Sequence, residues 1–238
     1  VDVAVGDLAD AGSLFAALAG VDARFLVNTG PAIPSRDELA AKAAKAAVVR
    51  HLLKLSSMDA QQDVGTGVWH ARGESAIRAS GIVFTFVQPT GFMENALFWA
   101  APIRASGVVR STTGDGKIRF IHSDDIAAVA TEALTTREYD AKRLPITGPE
   151  ALNYTEMAAK IGATIGKQIA FEAISEEHVR LQMTESGDSE EMVVGHLSIY
   201  RAIRQGRLAA VTGNVERVLG RQPIGFGRWV QEHAEAFR

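Results

Sequence analysis

A doubly wound α/β fold, with a parallel sheet between two layers of helices and a smaller, mainly helical C-terminal lobe, is the architecture this sequence predicts. Three observations predict it. Short runs rich in apolar residues recur as RFLVNT, HLLKLS and IVFTFVQ between residues 24 and 88, the pattern of strands buried on both faces of a parallel sheet. Stretches with apolar residues at helical spacing separate them, and this alternation implies parallel neighbours joined by right-handed crossovers. Beyond residue 150 helical patterns dominate.

Taken in order, Val1–Val5 reads as a strand, Gly6-Asp7-Leu8 as a turn, and Asp10–Leu18 as a helix with Leu14, Phe15 and Leu18 on one face. Arg24–Thr29 is the second strand, and a helix rich in Ala and Lys runs from Ser35 to about Ala47. His51–Ser56 is the third strand, Ser57 to Gly67 a polar loop, and Trp69–Ser80 a helix closed by Gly81 in the position of a C-cap. Ile82–Gln88 is the fourth strand, stopped by Pro89. After Phe92 the rhythm changes. Arg119–His122 reads as a short strand, Ser123–Leu134 as a helix whose Ser-Asp-Asp start suits the helix dipole, and Arg143–Thr147 as a last short strand. The remainder is expected as helices Tyr154–Ile165, Glu176–Ser186, Ser189–Gln205, Val215–Leu219 and Phe226–Phe237, interrupted by one strand, Gln168–Ala173.

Composition narrows the function. The 238 residues are 47% hydrophobic and 22% charged, enough apolar material for a sizeable core. A net charge of −3 without a basic stripe argues against a nucleic-acid partner. With no cysteine, disulfides, zinc–thiolate sites and cysteine nucleophiles are excluded. No apolar run approaches the ~20 residues that span a bilayer, and Val1–Val5 lacks the basic start of a signal peptide. A cytoplasmic protein without a membrane partner is expected.

Several segments carry a resemblance. They are Gly6-Asp-Leu-Ala-Asp10 with Gly20-Val-Asp22, His70-Ala-Arg-Gly-Glu74 followed by Ile77-Arg-Ala-Ser-Gly81, Gln88-Pro-Thr-Gly-Phe-Met-Glu-Asn95, Phe120-Ile-His-Ser-Asp-Asp-Ile-Ala127, and Thr147-Gly-Pro-Glu150 followed by Tyr154-Thr-Glu156. In this order they resemble the NmrA-like family of atypical short-chain dehydrogenases. The resemblance implies a Rossmann-like dinucleotide-binding domain over residues 1–150 and a substrate or partner lobe over 151–238. The implied cofactor is NADP, with NAD as the alternative.

Two departures accompany it. The family begins with a strand and a GxxGxxG turn that cradles pyrophosphate at a helix N-terminus. No such turn occurs here, and Val1 is not an initiator Met. A preceding βαβ piece of roughly 40 residues is therefore expected to be cut away. Its loss would impair cofactor binding and bare a sheet edge that invites pairing, including homo-oligomer formation. Short-chain dehydrogenases with full activity also place a Tyr four residues before a Lys; here the corresponding positions are Thr66 and His70, a substitution pattern familiar among NmrA-like proteins, reductases and NADP-sensing regulators alike.

Candidate site residues follow from that frame, each with a plainer alternative. Asp7 and Leu8 lie past a strand end, where open α/β sheets take ligands, and are assigned to the cofactor or else to a simple Asp turn. Asn28, Thr29 and Gly30 end the next strand and would let a ribose or pyrophosphate approach. Lys54, between Leu53 and Leu55, needs an anion or a route to water; it reaches the cofactor or snorkels to the surface. Ser56 is a catalytic candidate that would orient a substrate carbonyl, or else a cap. His70 is the other, as proton donor or ribose ligand near its ordinary pKa of ~6.5, or else the partner of Glu74 in a surface pair. Pro89, Thr90, Gly91 and Phe92 would face the nicotinamide. Phe92, Asn95, Phe98 and Trp99 would line an apolar pocket, although such aromatics equally build cores. Asp124 and Asp125 read as helix caps, and no metal site is expected. The expected function is an NAD(P)H-dependent reductase of a small planar electrophile such as a quinone, azo compound or dye, with His70 as accessory donor. The alternative is a non-catalytic NADP(H)-sensing regulator that binds a protein partner.

Overall fold

Alternating strands and helices form the α/β fold expected, in a computed structural model that describes residues 2–62 and 64–238. The strands are β1 (Ala23–Leu26), β2 (His51–Leu55), β3 (Phe84–Pro89), β4 (Val108–Ser111), β5 (Lys142–Ile146) and β6 (Ala170–Ala173). The helices are α1 (Ala11–Ala17), α2 (Ile33–Ala46), α3 (Gly67–Ser80), α4 (Ala100–Ser106), α5 (Ser123–Thr135), α6 (Tyr154–Ile165), α7 (Glu176–Glu185), α8 (Glu190–Arg204), α9 (Asn214–Leu219) and α10 (Phe226–Glu232).

Two compact units divide the chain. The first holds residues up to Gln88 together with Ala127–Pro145; the second holds Pro89–Ile126 and Ile146–Arg238. The chain therefore passes between units three times, the last time close to residue 146.

In the first unit the sheet order is β1-β2-β3-β5, and β1, β2 and β3 are parallel. Register aligns Leu26 with Lys54 and Lys54 with Phe86. Because side chains alternate along a strand, Leu26, Leu52, Phe84 and Phe86 share a face. They pack with Leu14 and Leu18 of the first helix, Ala40, Ala41 and Ala44 of α2, and Ile77 of α3. The small face of α2 meets Gly73 of α3, where an added Cβ would overlap the Asp37 carboxylate. Gly81 closes α3 at φ 74°, as expected.

In the second unit β4 and β6 form a parallel pair with Val109 opposite Phe171. A capping box of Asn153 and Glu156 starts α6 at the predicted residue. Trp229, fully buried, stacks between Phe226 and His233. No described helix is long and apolar enough to cross a membrane.

Several expectations need correction. Val1 lies outside the described residues, and residues 2–5 are not a strand. They have no ladder partner among the described residues, and Val3 and Val5 are 89% and 95% exposed. An apolar pattern makes a strand only where a neighbour takes its backbone hydrogen bonds. Arg119–His122 forms a single bridge, Ile121 with Phe92, rather than a strand. Pro89 ends β3 from within it, since only the following N–H, that of Thr90, is needed to reach Ile146 O. Helix α2 starts at Ile33 because Pro34 fits a first turn, where its missing N–H costs nothing. The 3-10 turn Met93–Trp99, α4 and β4 went unpredicted, and the last helix breaks after Glu232 into a 3-10 turn, Ala234–Phe237.

Candidate functional site

Strand alternation builds a polar cluster at the carboxyl ends of β1, β2 and β3. Asn28, Lys54, Ser56 and Gln88 fall on the face that α2 and α3 cover, and all four are buried. Helix α2 brings Asp37 to them. Its spacing with Ala40, Ala41 and Ala44 places that acid on the apolar stripe of its helix. Helix α3 brings His70 and Glu74 by the same logic, on the face shared with Gly73 and Ile77.

Lys54 Nζ lies 2.6 Å from Asp37 Oδ2, and neither side chain has any exposure. Of the two sequence readings for Lys54, an anionic partner or a route to water, the observed one is an anion supplied by the protein itself. Asn28 Nδ2 donates to Asp37 Oδ1 at 3.2 Å. Burial pulls the lysine pKa down, against the opposing pull of Asp37. Such a pair contributes little net stability, but removal of one partner strands a charge, at a cost of about 3–5 kcal/mol.

Glu74, 1% exposed, joins three elements. It accepts from Ser56 Oγ at 2.7 Å, from Gln88 Nε2 at 2.6 Å and from Arg143 Nε of β5 at 3.1 Å. Gln88 Oε1 in turn accepts from Gln61 Nε2. The expected surface pair of His70 with Glu74 does not form; Glu74 points into the protein and takes Arg143 as counter-charge.

His70 is half-buried, and its Nδ1 is buried without a hydrogen-bond partner among the described residues. Burial first, and the nearby Lys54 charge second, pull its pKa down to about 3. The imidazole is therefore neutral at neutral pH, and the premise of an ordinary histidine pKa gives way. It can still offer one N–H and one lone pair.

The other candidates are more local. Asp7 makes a turn, its Oδ1 accepting from Ala9 N at 2.8 Å and its N–H donating to Ser13 Oγ at 2.9 Å; Leu8 is half-buried beside the core. Thr29 is exposed, and Gly30 takes φ 81°, with its carbonyl receiving Ile33 N.

In the second unit, the Pro89–Phe92 turn is fastened to residues 119–121. Thr90 Oγ1 donates to Arg119 O, Ile121 N to Gly91 O at 3.0 Å, and Met93 N to Ile121 O at 3.0 Å. A Cβ on Gly91 would sit 2.5 Å from the Phe120 ring, so only glycine permits this approach. Phe92 is half-buried and Asn95 exposed. Phe98 is 83% exposed, whereas Trp99 packs on Tyr154 at 4.7 Å between ring centres. Asp125 is committed elsewhere, holding Ile224 N at 2.7 Å and Arg221 at 2.6 Å. No group of three or more His, Asp or Glu among the described residues is arranged to hold a metal.

Sequence reasoning missed Asp37, Gln88 and Arg143, and misplaced Glu74. Helical spacing could have found Asp37, the one acid among alanines on its stripe, and strand alternation could have joined Gln88 to Ser56. Arg143 carries no such signal, because its partner is 69 residues away.

The family model of the NmrA-like family matches residues 1–202. The chain belongs to this family. Over 240 aligned positions this NmrA-like chain is 37% identical to the (4-alkanoyl-5-oxo-2,5-dihydrofuran-3-yl)methyl phosphate reductase of Streptomyces griseus, covering all of itself and 84% of that protein. It is 36% identical over 242 positions to the NAD(P)H azoreductase of Xenophilus azovorans, with the same coverage. Its fold matches that of the NADPH-dependent quinone oxidoreductase of Escherichia coli, solved with NADPH. That match has a TM-score of 0.87 and 24% identity, over 98% of this chain and 83% of the other. The NmrA-like fold is thus Rossmann-like.

Proposed function

We propose that this NmrA-like protein is an NAD(P)H-dependent reductase whose acceptor is a small planar electrophile of the quinone or azo class. The observation that carries the reading is the buried, charge-compensated cluster of Asn28, Lys54, Ser56 and Gln88 at the carboxyl ends of parallel strands. Open α/β sheets take their ligands there. The two relatives at 37% and 36% identity, both named as reductases, support the same class.

The residues present fit the nicotinamide half of a dinucleotide. Asn28 Oδ1 and His70 Nδ1 are buried polar atoms without partners among the described residues, a costly state that a ligand's hydroxyl or amide group would relieve. Asn28, Thr29, Gly30, Ser56 and His70 are the groups proposed to hold it. When bound, the cofactor supplies hydride, and the protein supplies orientation and exclusion of water. His70, neutral at neutral pH, offers a hydrogen bond there rather than an imidazolium proton. Ser56 already donates its hydroxyl hydrogen bond to Glu74. A quinone or azo acceptor suits such a site, because its own electron demand draws the hydride and the reduced anion can take its protons from solvent on release.

The same scarcity of proton donors favours the second reading, an NADP(H)-sensing regulator with a protein partner. Oxidation of NADPH and NADH by the intact protein with a quinone and azo panel separates the two. Turnover that falls at least tenfold on substitution of His70 or Phe92 supports the reductase. Tight cofactor binding with no turnover of any acceptor removes it.

A further inference from the structure

A serine hydroxyl has one proton and two lone pairs, so committing the proton decides what the oxygen can still do. Ser56 Oγ commits it to Glu74 Oε1 at 2.7 Å. A carboxylate only accepts, and this one is buried with Gln88 Nε2 and Arg143 Nε also donating to it. Gln88 is oriented as well, because its Oε1 receives Gln61 Nε2. Three side chains from β3, β5 and the segment after β2 thus aim their donors at one acid, and its counter-charge, Arg143, is fixed to the same group.

We infer that Glu74 is a positioning residue that fixes Ser56 as a hydrogen-bond acceptor, so that Ser56 recognises an N–H or O–H donor on a bound ligand and disfavours a bare carbonyl. The identity of that ligand rests on the reductase reading; the polarity of Ser56 does not. Two lone pairs facing each other repel, and a carbonyl pressed on Ser56 would meet that arrangement. The sequence expectation that Ser56 steadies a substrate carbonyl is thereby inverted. A donor has two sources: the carboxamide of the cofactor, or a hydroxyl carried by the acceptor. An unsubstituted quinone has none.

Two ligand pairs test this on the intact protein, by binding and by steady-state kinetics. NADPH is compared with its acetylpyridine analogue, in which a methyl ketone replaces the carboxamide and removes its N–H. Hydroxymethyl-p-benzoquinone is compared with methyl-p-benzoquinone. Ser56→Ala is expected to weaken the donor-bearing member of one pair about two- to tenfold, the net worth of one hydrogen bond, and to leave its donor-free counterpart unchanged. The pair that responds identifies the source. Glu74→Met removes both acceptor oxygens at similar volume and frees the Ser56 proton, so it is expected to erase or reverse the preference, in KM more than in kcat. Arg143 is half-exposed and can then be solvated. Should Glu74→Met fail to fold by circular dichroism, Ser56→Ala decides alone. Equal weakening of both members of each pair, no weakening in either pair, or a larger loss for the donor-free member overturns the inference. Donor-dependent binding with no turnover of any acceptor leaves the inference standing and removes the reductase reading. A wild type that binds none of the four ligands overturns both.

Discussion

The two units satisfy their candidate site residues in opposite ways. In the first, charged and amide side chains compensate one another inside the sheet layer: Lys54 with Asp37, and Ser56, Gln88 and Arg143 with Glu74. In the second, the Pro89–Phe92 turn is held by backbone carbonyls and by the absence of a side chain at Gly91. The first arrangement is vulnerable to changes of charge, the second to changes of volume.

The largest expected effect breaks the first arrangement. Lys54→Met leaves the Asp37 carboxylate buried without its counter-charge and is expected to destabilise by about 3–5 kcal/mol, read from urea midpoints. Adding Asp37→Leu to it should recover most of that loss, because an apolar pair restores compensation. A double variant no better than the single one would show that the pair is not the source of the cost.

The next effect is one of volume. Gly91→Ala forces the Phe120 ring to move and is expected to cost about 1–3 kcal/mol, with no dependence on pH or salt. A strong salt dependence would contradict the contrast between the units.

A third prediction concerns acid. A histidine whose folded pKa lies at about 3, below its ordinary 6.5, is neutral in both states above pH 6.5 and contributes no pH dependence there. Between 6.5 and 3 the unfolded chain binds the proton and the folded one does not, so stability falls as pH drops. The slope from His70 should stay below about 1.4 kcal/mol per pH unit, since the ring is only half-buried. His70→Asn should flatten the curve of urea midpoint against pH in that window. His51, also lowered by burial and hydrogen-bonded to Thr85 at 3.0 Å, contributes to the slope that remains, as do Glu156, Glu176 and Glu232, whose carboxyls are held below their ordinary range by hydrogen bonds from cationic partners.

The smallest effect sharpens the comparison from the other side. Phe98, exposed on its 3-10 turn, should change stability by no more than about 0.5 kcal/mol when replaced by Ser. Any large change in acceptor KM in that variant would then report binding rather than folding.

How much of this was legible in the sequence depended on how local the signal was. Gly81 after an amphipathic run announced the end of α3, because a cap is decided within a few residues, and the capping box of Asn153 and Glu156 at the start of α6 is just as local. Residues 2–5 misled for the converse reason: their alternation says that a strand is feasible, while only a partner strand makes one. Lys54 showed in sequence that it needed an anion, but not which one. Asp37 became the answer when the small stripe of α2 and Gly73 let the two helices close over the sheet.

By itself, then, the sequence determined the alternation of strands and helices, the family, and the cluster's positions on β2, since period and capping are properties of neighbouring residues. Only the tertiary structure decided that Glu74 faces inward, that Arg143 meets it across 69 residues of chain, and that His70 loses its ordinary pKa. Those outcomes depend on burial and on long-range partners, because desolvation and ion pairing act through space and leave no periodic trace along the chain.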